Sequence, residues 1–292
     1  MAVAGATILR LEPGADFVVT PFIESICRRC SAYLEAGYPI HLSGPAGAGK
    51  TTLAMHLAGL LGHPVMIIYG DEEFGSSDLL GGDKGVVSRR LVDNYVHSVL
   101  KTEENVKSIW VDQRLTTACR YGYTLVYDEF SRSHAEANNV LLSVLEEKLL
   151  VLPEGRYGES YIHVHPQFRA IFTSNPDEYA GVYTPQSALL DRMITIKLGC
   201  YDAETEIAIT AAKSGLPLAD AQKIVEIVRI LRGNPNSSIQ PTIRASIMIA
   251  KIIRHLNGKV NDPIFTETCL DVLCSGSDSD GWVRKAVETA LG

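Results

Sequence analysis

The sequence lacks the features of membrane, secreted and nucleic-acid-coating proteins. Its 292 residues contain only six cysteines, and 27 basic residues against 34 acidic ones give a formal net charge of −7. Apolar runs such as Val65 to Tyr69 are far shorter than a membrane span. The first residues, Met-Ala-Val-Ala-Gly, show no signal-peptide pattern. We therefore expect a cytoplasmic protein with no membrane segment, and nucleic acid is the last partner that this acidic composition favours.

One pair of cysteines has a spacing with chemical meaning, in the segment Cys27-Arg-Arg-Cys30. This spacing occurs in redox pairs and in one half of some zinc sites. No second such pair and no paired histidines at ligand spacing follow in the sequence. We therefore interpret Cys27 and Cys30 as reduced cysteines of a helix.

The composition and the order of apolar segments predict two packed units. Apolar residues make up 46% of the chain and charged residues 21%, as in globular proteins. Up to about residue 200, short apolar strands alternate with helical patterns, which predicts an α/β fold with a mostly parallel sheet between two helix layers. Only helical patterns follow. We therefore predict a nucleotide-binding α/β domain over residues 1–200 and a smaller all-helical lid domain over residues 201–292.

Turn signals and hydrophobic periodicity place the individual elements. Helices are predicted at 21–36, 50–61, 202–214, 218–232, 241–257, 263–274 and 280–291. Strands of the sheet are predicted at 39–43, 65–69, 125–127 and 170–173. The stretch from Gly70 to Arg90 holds five glycines and interrupts the alternation, so we expect an inserted loop there. Two short strands within 149–168 suggest a hairpin.

A glycine-rich segment between a predicted strand and a predicted helix carries the clearest chemical signal. Gly44-Pro-Ala-Gly-Ala-Gly49-Lys50-Thr51 matches the pattern G-x-x-x-x-G-K-[ST]. The N–H groups of such a loop surround phosphates, the lysine reaches the outer phosphates, and the threonine hydroxyl binds a magnesium ion. We therefore expect ATP and Mg²⁺ as cofactors. The residues expected to bind the nucleotide are Gly44, Pro45, Ala46, Gly47, Ala48, Gly49, Lys50, Thr51 and Thr52.

Two acids and an amide follow two further predicted strands. Thr124-Leu-Val-Tyr-Asp128-Glu129 places both acids at a strand end, and Asn175 follows the strand at 170–173. If the first of these strands is a parallel neighbour of the phosphate loop, Asp128 lies in the metal shell and Glu129 polarises the attacking water. Asn175 could orient the same water from the opposite side. These three residues predict hydrolysis rather than nucleotide binding alone.

Two arginines near helix ends complete the candidate site. Arg192 lies in Leu-Leu-Asp-Arg-Met and Arg244 in Pro-Thr-Ile-Arg-Ala. An arginine at the γ-phosphate would stabilise the charge that grows in the transition state. Exposed arginines are more often simply solvated, so this assignment depends on the rest of the site.

Taken together, these motifs resemble the AAA+ class of P-loop ATPases, within its MoxR-like group. The segments 128–147, 165–182 and 188–193 are similar to the gas vesicle protein N family. The related activators of Rubisco and of nitric oxide reductase are less similar across Asp177 to Val182. The resemblance implies an AAA+ fold with a helix-2 insert at about 70–100, a pre-sensor hairpin at about 149–168 and a helical lid.

The resemblance also implies residue roles and partners. Asn175 would be the first sensor, Arg192 the finger offered to the adjacent subunit's nucleotide, and Arg244 the second sensor in the lid. The protein would form a homo-oligomeric ring, a hexamer, in which Arg132 or Arg169 could also face the neighbouring nucleotide. Arg132 could equally cap a helix or pair with a helix acid such as Glu136.

Family members contribute to the assembly and enlargement of gas vesicles, the hollow protein shells that provide buoyancy. The resemblance therefore implies a gas-vesicle-associated protein whose partners are shell and accessory proteins. Two other functions stay open. One is an activator that inserts a metal into a client enzyme or remodels it. The other is a nucleotide-binding structural component of the vesicle with little hydrolysis, although the intact Glu129 speaks against it.

Overall fold

Strands and helices alternate as far as β9, and only helices follow, as predicted for an α/β unit and then a helical unit. The computed structural model describes residues 9, 17–92, 102–153, 160–176, 183, 186–234, 240–274 and 280–291, with backbone alone at 82–92 and 102–111. The strands are β1 (Ile40–Ser43), β2 (Val65–Tyr69), β3 (Gly81–Val92), β4 (Thr102–Asp112), β5 (Thr124–Asp128), β6 (Leu149–Val151), β7 (Tyr161–His163), β8 (Arg169–Ser174) and β9 (Ile194–Lys197). The helices are α1 (Pro21–Glu35), α2 (Lys50–Leu60), α3 (Ser76–Leu80), α4 (Arg114–Tyr121), α5 (Ala135–Asn138), α6 (Val140–Leu145), α7 (Ser187–Leu190), α8 (Ala203–Ser214), α9 (Leu218–Arg232), α10 (Ile243–His255), α11 (Pro263–Leu273) and α12 (Asp280–Leu291).

A parallel sheet of five strands, in the order β2-β5-β8-β1-β9, positions the site. β1 lies between β8 and β9, with Ile40 opposite both Ile171 and Ile194. Because the carboxyl ends of parallel strands meet at one edge, the segments that follow β1, β5 and β8 lie side by side. The predicted parallel sheet is confirmed. The sequence analysis does not predict the edge strand β9, although Ile194-Thr-Ile-Lys197 alternates apolar and polar residues, because a run of four residues gives only a short periodic signal.

Apolar side chains alternate between two cores on opposite faces of this sheet. On β5, Leu125 and Tyr127 belong to one core and Val126 to the other. On β8, Phe172 belongs to the first core and Ile171 to the second. Residues of α4, α6 and α7 close the first core, and residues of α1 and α2 close the second. The sheet is therefore the middle layer of three, as predicted.

Threonine caps decide where two helices beside the site begin. The Thr20 hydroxyl accepts a hydrogen bond from the Ile23 N–H at the start of α1, and Thr242 accepts one from the Arg244 N–H at the start of α10. Such caps satisfy N–H groups that the helix itself leaves unpaired. α10 therefore begins at Ile243, two residues after the predicted start at 241.

The segment after β2 differs from the sequence prediction. We predict a loop from Gly70 to Arg90, but the structure has the helix α3 and then a long antiparallel hairpin of β3 and β4. Residues 93–101, between the two strands, lie outside the described residues, and β4 ends at Asp112, beyond the expected end of the insert at about 100. Charged residues occur on both strands, with Arg90 in register with Glu104. A strand without regular apolar alternation carries no periodic signal, which is why the pattern misses it.

A second, shorter hairpin joins β6 to β7, with Leu150 in register with Ile162. Both side chains are buried in the first core of the sheet. The turn of this predicted hairpin, at 154–159, lies outside the described residues. The hairpin is therefore attached to the face of the sheet that carries α4 and α6.

The helices α9 to α12 pack around a third core. Ile224 and Val228 of α9, Ile249 and Ile253 of α10, and Phe265 of α11 are buried in it. The predicted boundary near residue 200 falls in the connection between β9 and α8. Among the described helices, none combines the length and the apolar character needed to cross a membrane.

Candidate nucleotide site

The phosphate loop joins β1 to α2, and two glycines shape it. Gly47 and Gly49 both have φ of 76°, a left-handed conformation that favours glycine. A Cβ atom on Gly49 would lie 2.8 Å from the Tyr201 hydroxyl, and one on Gly47 would overlap the side chain of Thr242. Glycine therefore permits both the turn of the loop and the close approach of the lid. Since α2 begins at Lys50, the unpaired N–H groups of its first turn lie at the same place.

The Lys50 side chain lies across this loop. Its Nζ atom donates hydrogen bonds to the carbonyls of Gly44 and Pro45, each at 2.8 Å, and the residue is only 8% exposed. A buried ammonium group requires acceptors, and the oxygens of a phosphate are stronger acceptors than carbonyls. The amine is therefore placed to bind a phosphate chain that enters the loop.

The predicted metal-binding pair, Thr51 and Asp128, is in direct contact. Thr51 Oγ1 donates to the Asp128 carboxylate, whose two oxygens lie 2.8 and 2.9 Å away. The sequence analysis supposes that β5 is the neighbour of β1, but β8 lies between these two strands. Thr51, at the start of α2, therefore reaches Asp128 across the end of β8. A hydroxyl and a carboxylate are ligands that suit Mg²⁺. The pair therefore fits the metal ion that accompanies a nucleotide.

Thr173 of β8 links the two acids. Its hydroxyl donates to Asp128 Oδ1 at 2.6 Å and accepts from the Glu129 N–H at 2.9 Å. The end of β5 is thereby fixed to β8. No motif singles out Thr173 in the sequence. A weak signal is its position two residues before Asn175, the spacing that places side chains on one face of a strand.

Glu129 has an uncommon backbone conformation and an ion pair. Its φ of 52° is left-handed, which is rare for a residue with a side chain, and it follows β5 directly. Gly70 accommodates this bend, because a side chain there would overlap the Glu129 carbonyl. The Glu129 carboxylate lies 2.7 Å from Arg132 Nε, and both side chains are partly exposed. The sequence suggests Glu136 as a partner of Arg132, but the structure shows this ion pair with Glu129.

Asn175 follows β8 and lies beside the start of the phosphate loop. The Gly44 N–H donates to the Ser174 carbonyl at 3.4 Å, which joins the two segments. Asn175 itself is 5% exposed. The structure therefore brings this amide to the same edge of the sheet as Asp128 and Glu129.

The candidate arginines lie at different places. Arg244 is exposed in the first turn of α10 and lines a cavity beside the phosphate loop. Arg192 donates from Nε to Glu146 at 2.7 Å and makes a second contact with the same carboxylate. Arg169 lies at the amino end of β8, the edge opposite the phosphate loop, where it donates to nearby backbone carbonyls. Arg192 lies two residues before Ile194, which pairs with Ile40 at the start of β1, so it lies towards the same amino edge as Arg169. Of these arginines, Arg132 lies at the carboxyl edge, paired with Glu129. Position along the sheet therefore does not separate Arg192 from Arg169 as arginines that face a neighbouring nucleotide.

The cavity between the phosphate loop and the lid has a volume of about 290 Å³. Gly47, Gly49 and Thr52 line it on the loop side. Its other walls are mainly apolar, with contributions from Phe17, Ile23, Tyr201, Ile209 and Ile247, and its cations are Lys213, Arg244 and Lys251. An apolar cavity with a few charged groups beside a phosphate loop fits the base of a nucleotide.

Tyr201 and Thr242 attach the lid to the loop. The Tyr201 hydroxyl donates to the Ala48 carbonyl at 2.8 Å, and burial raises the pKa of Tyr201 to about 12, so the donor keeps its proton at neutral pH. Thr242 packs on Gly47. The sequence analysis assigns neither residue a role, since Tyr201 lies in a connection between predicted elements and Thr242 only opens the predicted helix of Arg244. Only the folded chain brings them to the loop.

Cys27 and Cys30 lie together in α1, and both are buried. Burial raises the pKa of the Cys30 thiol to about 11. Over the part of the chain that the structure describes, no group of three or more His, Cys, Asp and Glu residues could hold a metal ion. These observations agree with the interpretation of the two cysteines as structural thiols.

Comparison with known proteins gives the family of the chain. Residues 39–193 match the family model described as AAA domain (dynein-related subfamily). The gas vesicle ATPase GvpN of Ancylobacter aquaticus is 47% identical over 286 residues, which cover 96% of this chain and 80% of that protein. The gas vesicle ATPase GvpN of Haloferax mediterranei is 45% identical over 262 residues, which cover 89% and 74%. The Holliday junction branch migration motor RuvB of Thermotoga maritima shares the fold, with a TM-score of 0.52 at 18% identity over 90% of this chain and 72% of that one. The chain belongs to the gas vesicle ATPase GvpN family and contains its AAA domain.

Proposed function

We propose that this protein hydrolyses ATP at the carboxyl edge of its sheet and uses the reaction to remodel or load shell components during gas vesicle assembly and enlargement. The contact between Thr51 and Asp128, directly before Glu129, is the observation that carries the chemistry. Membership of the gas vesicle ATPase family supports the cellular role. The protein would accordingly be associated with gas vesicles and with their shell and accessory proteins.

The site supports one orientation of ATP. The base would enter the apolar cavity under the lid, and the phosphates would follow the loop from Gly44 to Gly49. Lys50 would exchange its two carbonyl partners for phosphate oxygens, because charge-assisted hydrogen bonds are the stronger ones. Thr51 and Asp128 would hold Mg²⁺, which neutralises phosphate charge when it is bound.

Glu129 and Asn175 would act on the attacking water. A carboxylate at this edge can accept the proton of the water, and an amide can hold the water in line with the phosphate. Glu129 must first leave Arg132. Breaking a partly exposed ion pair costs little free energy, so this pairing does not prevent Glu129 from reaching the phosphate.

Arg244 and Arg192 would stabilise the growing negative charge from two directions. Arg244 lines the chain's own cavity and would act as the sensor in the lid. Arg192 is held by Glu146 in a partly exposed pair beyond α7. We infer that Arg192 serves the nucleotide of an adjacent subunit, in a homo-oligomeric ring of six.

Measurement of ATP turnover tests the chemical part of this proposal. Glu129→Gln keeps the shape of the side chain but removes its basicity, so we expect turnover to fall by a factor of about 10² to 10⁴. ATP binding should persist. Glu147→Gln changes an exposed acid at the end of α6 and is the matched control. Equal rates for the wild type and Glu129→Gln would contradict enzymatic hydrolysis and favour a structural nucleotide-binding component.

Mixing two inactive variants tests the ring. Arg192→Ala and Glu129→Gln each remove one half of a shared site. A mixed ring contains interfaces with an intact Glu129 on one side and an intact Arg192 on the other, so turnover should reappear on mixing. If Arg192 instead serves its own subunit, no complete site forms and the mixture stays inactive.

Deletion of the gene in a gas-vesicle-forming host tests the cellular role. We expect fewer or smaller vesicles, scored as length and width by electron microscopy. The wild-type gene should restore them, and the Glu129→Gln gene should not. Normal vesicles in the deletion strain would contradict the vesicle role and favour an activator of another client.

A further inference from the structure

His41 is a buried polar residue in the middle of the sheet, and none of the roles described above uses it. It lies on β1, three residues before the phosphate loop, and is 4% exposed. Its Nε2 atom is 2.8 Å from the Ser174 hydroxyl, and its Nδ1 atom is 3.1 Å from the Thr195 hydroxyl. One imidazole thus connects β1 to both of its neighbouring strands.

The protonation state of His41 suits this connection. Burial lowers the pKa of His41 to about 4, so the ring is neutral at physiological pH. A neutral imidazole donates through one nitrogen and accepts at the other, and a hydroxyl can do either. The ring and its two hydroxyls can therefore satisfy one another within the sheet without a buried charge.

The neighbours of His41 lie next to both groups proposed to act on water. Ser174 directly precedes Asn175, and its carbonyl accepts from the first N–H of the phosphate loop. The imidazole also contacts the ring of Phe130, edge to face, with centroids 5.3 Å apart. Phe130 directly follows Glu129. Movement of the imidazole would therefore shift the backbone at Asn175, through Ser174, and at Glu129, through Phe130.

We propose that His41 is a positioning residue for ATP hydrolysis, which sets Asn175 through Ser174 and Glu129 through Phe130. It does not touch nucleotide itself. This inference rests on the proposed function of Glu129 and Asn175. A histidine that only fills the core would matter for stability, whereas a positioning histidine matters for kcat through one particular nitrogen.

Two conservative variants of His41 distinguish the contribution of Nε2 from that of Nδ1. Glutamine places its amide at the ε position, where Nε2 of His41 meets Ser174. Asparagine places its amide at the δ position, on the side of Thr195. We expect His41→Gln to keep kcat within about threefold of the wild type, and His41→Asn to lower it about tenfold or more. ATP affinity, measured with a fluorescent nucleotide, should stay within about twofold for both.

Variants of the two hydroxyl partners provide the matched comparison. Ser174→Ala should lower kcat as His41→Asn does. The variant that combines these two substitutions should have a kcat no lower than that of either single variant. Thr195→Val, at an exposed position, should leave kcat near that of the wild type. The inference is overturned if His41→Gln falls as far as His41→Asn, or if kcat follows Tm across the whole set.

Asn175→Ala and Glu129→Gln distinguish failure of this inference from failure of the proposed function. Both should lose turnover. If they do so while His41→Asn keeps full kcat, His41 is not a positioning residue and the proposed function stands. If both keep the wild-type rate, the proposed roles fail and the inference fails with them.

Discussion

The phosphate loop is held from two sides, and the two sides use different chemistry. On the sheet side, hydroxyls of Thr51 and Thr173 meet the Asp128 carboxylate at 2.6 to 2.9 Å. On the lid side, the Tyr201 hydroxyl reaches a loop carbonyl, and Thr242 packs on Gly47 beside the mainly apolar cavity walls. The sheet side is a set of directional bonds, and the lid side is mostly a packed surface.

This difference shows how one site can combine fixed chemistry with a movable cover. Directional bonds between buried groups allow a single arrangement, whereas packed surfaces can slide or separate at modest cost. We therefore expect sheet-side residues to decide hydrolysis and phosphate binding. The lid side should respond to the nucleotide as a unit. The following variants test this division, beginning with the largest expected effect.

The largest effect on stability is expected from the ion network that holds the lid side together. Glu206 is 2% exposed and lies 3.0 Å from Arg229 and 2.8 Å from Arg232. These arginines also donate to the carbonyls of Tyr201 and Pro241, at or next to the two lid contacts. Glu206→Ala leaves two guanidinium groups without their shared acid, so we expect the unfolding free energy to fall by about 3 kcal/mol. Urea titration measures the loss.

Two further variants check the cause of that loss. Glu206→Gln keeps the shape and some hydrogen bonding, so it should cost less than Glu206→Ala. Glu226→Ala removes an exposed acid of α9 and should change the unfolding free energy by less than about 0.5 kcal/mol. If Glu206→Ala costs no more than Glu226→Ala, the buried network does not hold the lid.

Lys50→Ala tests phosphate binding on the loop itself. It removes a buried ammonium group, and charge-assisted hydrogen bonds are worth about 1.5 to 3 kcal/mol. We expect the Kd for ATP to rise about 100-fold, measured by titration with a fluorescent nucleotide. Lys197→Ala, an exposed residue of β9, is the control and should leave the Kd unchanged. A rise of less than threefold for Lys50→Ala would place the phosphates elsewhere.

Arg244→Ala tests the lid side with a smaller expected effect. Arg244 is exposed, so solvent screens its interaction with phosphate, and we expect the Kd for ATP to rise only about fivefold. Arg254→Ala, exposed at the other end of α10, is the control. A rise in Kd as large as that of Lys50→Ala would contradict the expectation that the sheet side decides phosphate binding, because the lid would then bind phosphate as strongly as the loop does.

The smallest effect is expected at the cysteines of α1, which are buried in the second core of the sheet. With a pKa of about 11, Cys30 is a thiolate in only about one molecule in a thousand at pH 8, and thiolates are the reactive form. A thiol reagent should label exposed Cys200 rapidly in the native protein, and Cys27 and Cys30 only after unfolding. Rapid native labelling of Cys30 would support a redox role.

The sequence predicts the loop and the acids better than it predicts what surrounds them. The phosphate loop and Asp128 belong to local patterns, since a glycine spacing or an apolar run that ends in acids is visible in a few residues. Thr173 and His41 have no such pattern, because single polar residues in apolar strands are common. The hairpin of β3 and β4 is missed for a related reason, since its charged strands lack periodic alternation.

The sequence by itself determines the class of this protein, its nucleotide chemistry and the order of its elements. These properties follow from the spacing of glycine, apolar and acidic residues within short segments, because that spacing favours particular turns, strands and helices. Only the tertiary structure decides that α2 carries Thr51 over β8 to Asp128, that Arg132 pairs with Glu129, and that the lid closes the cavity through Tyr201. The contacts of Thr51 with Asp128 and of Tyr201 with Ala48 join residues 77 and 153 positions apart, so they depend on how the strands and the lid are arranged and not on any pattern within one segment. Arg132 and Glu129 are only three residues apart, but their pairing follows a left-handed backbone at Glu129 that Gly70, after the neighbouring strand, accommodates.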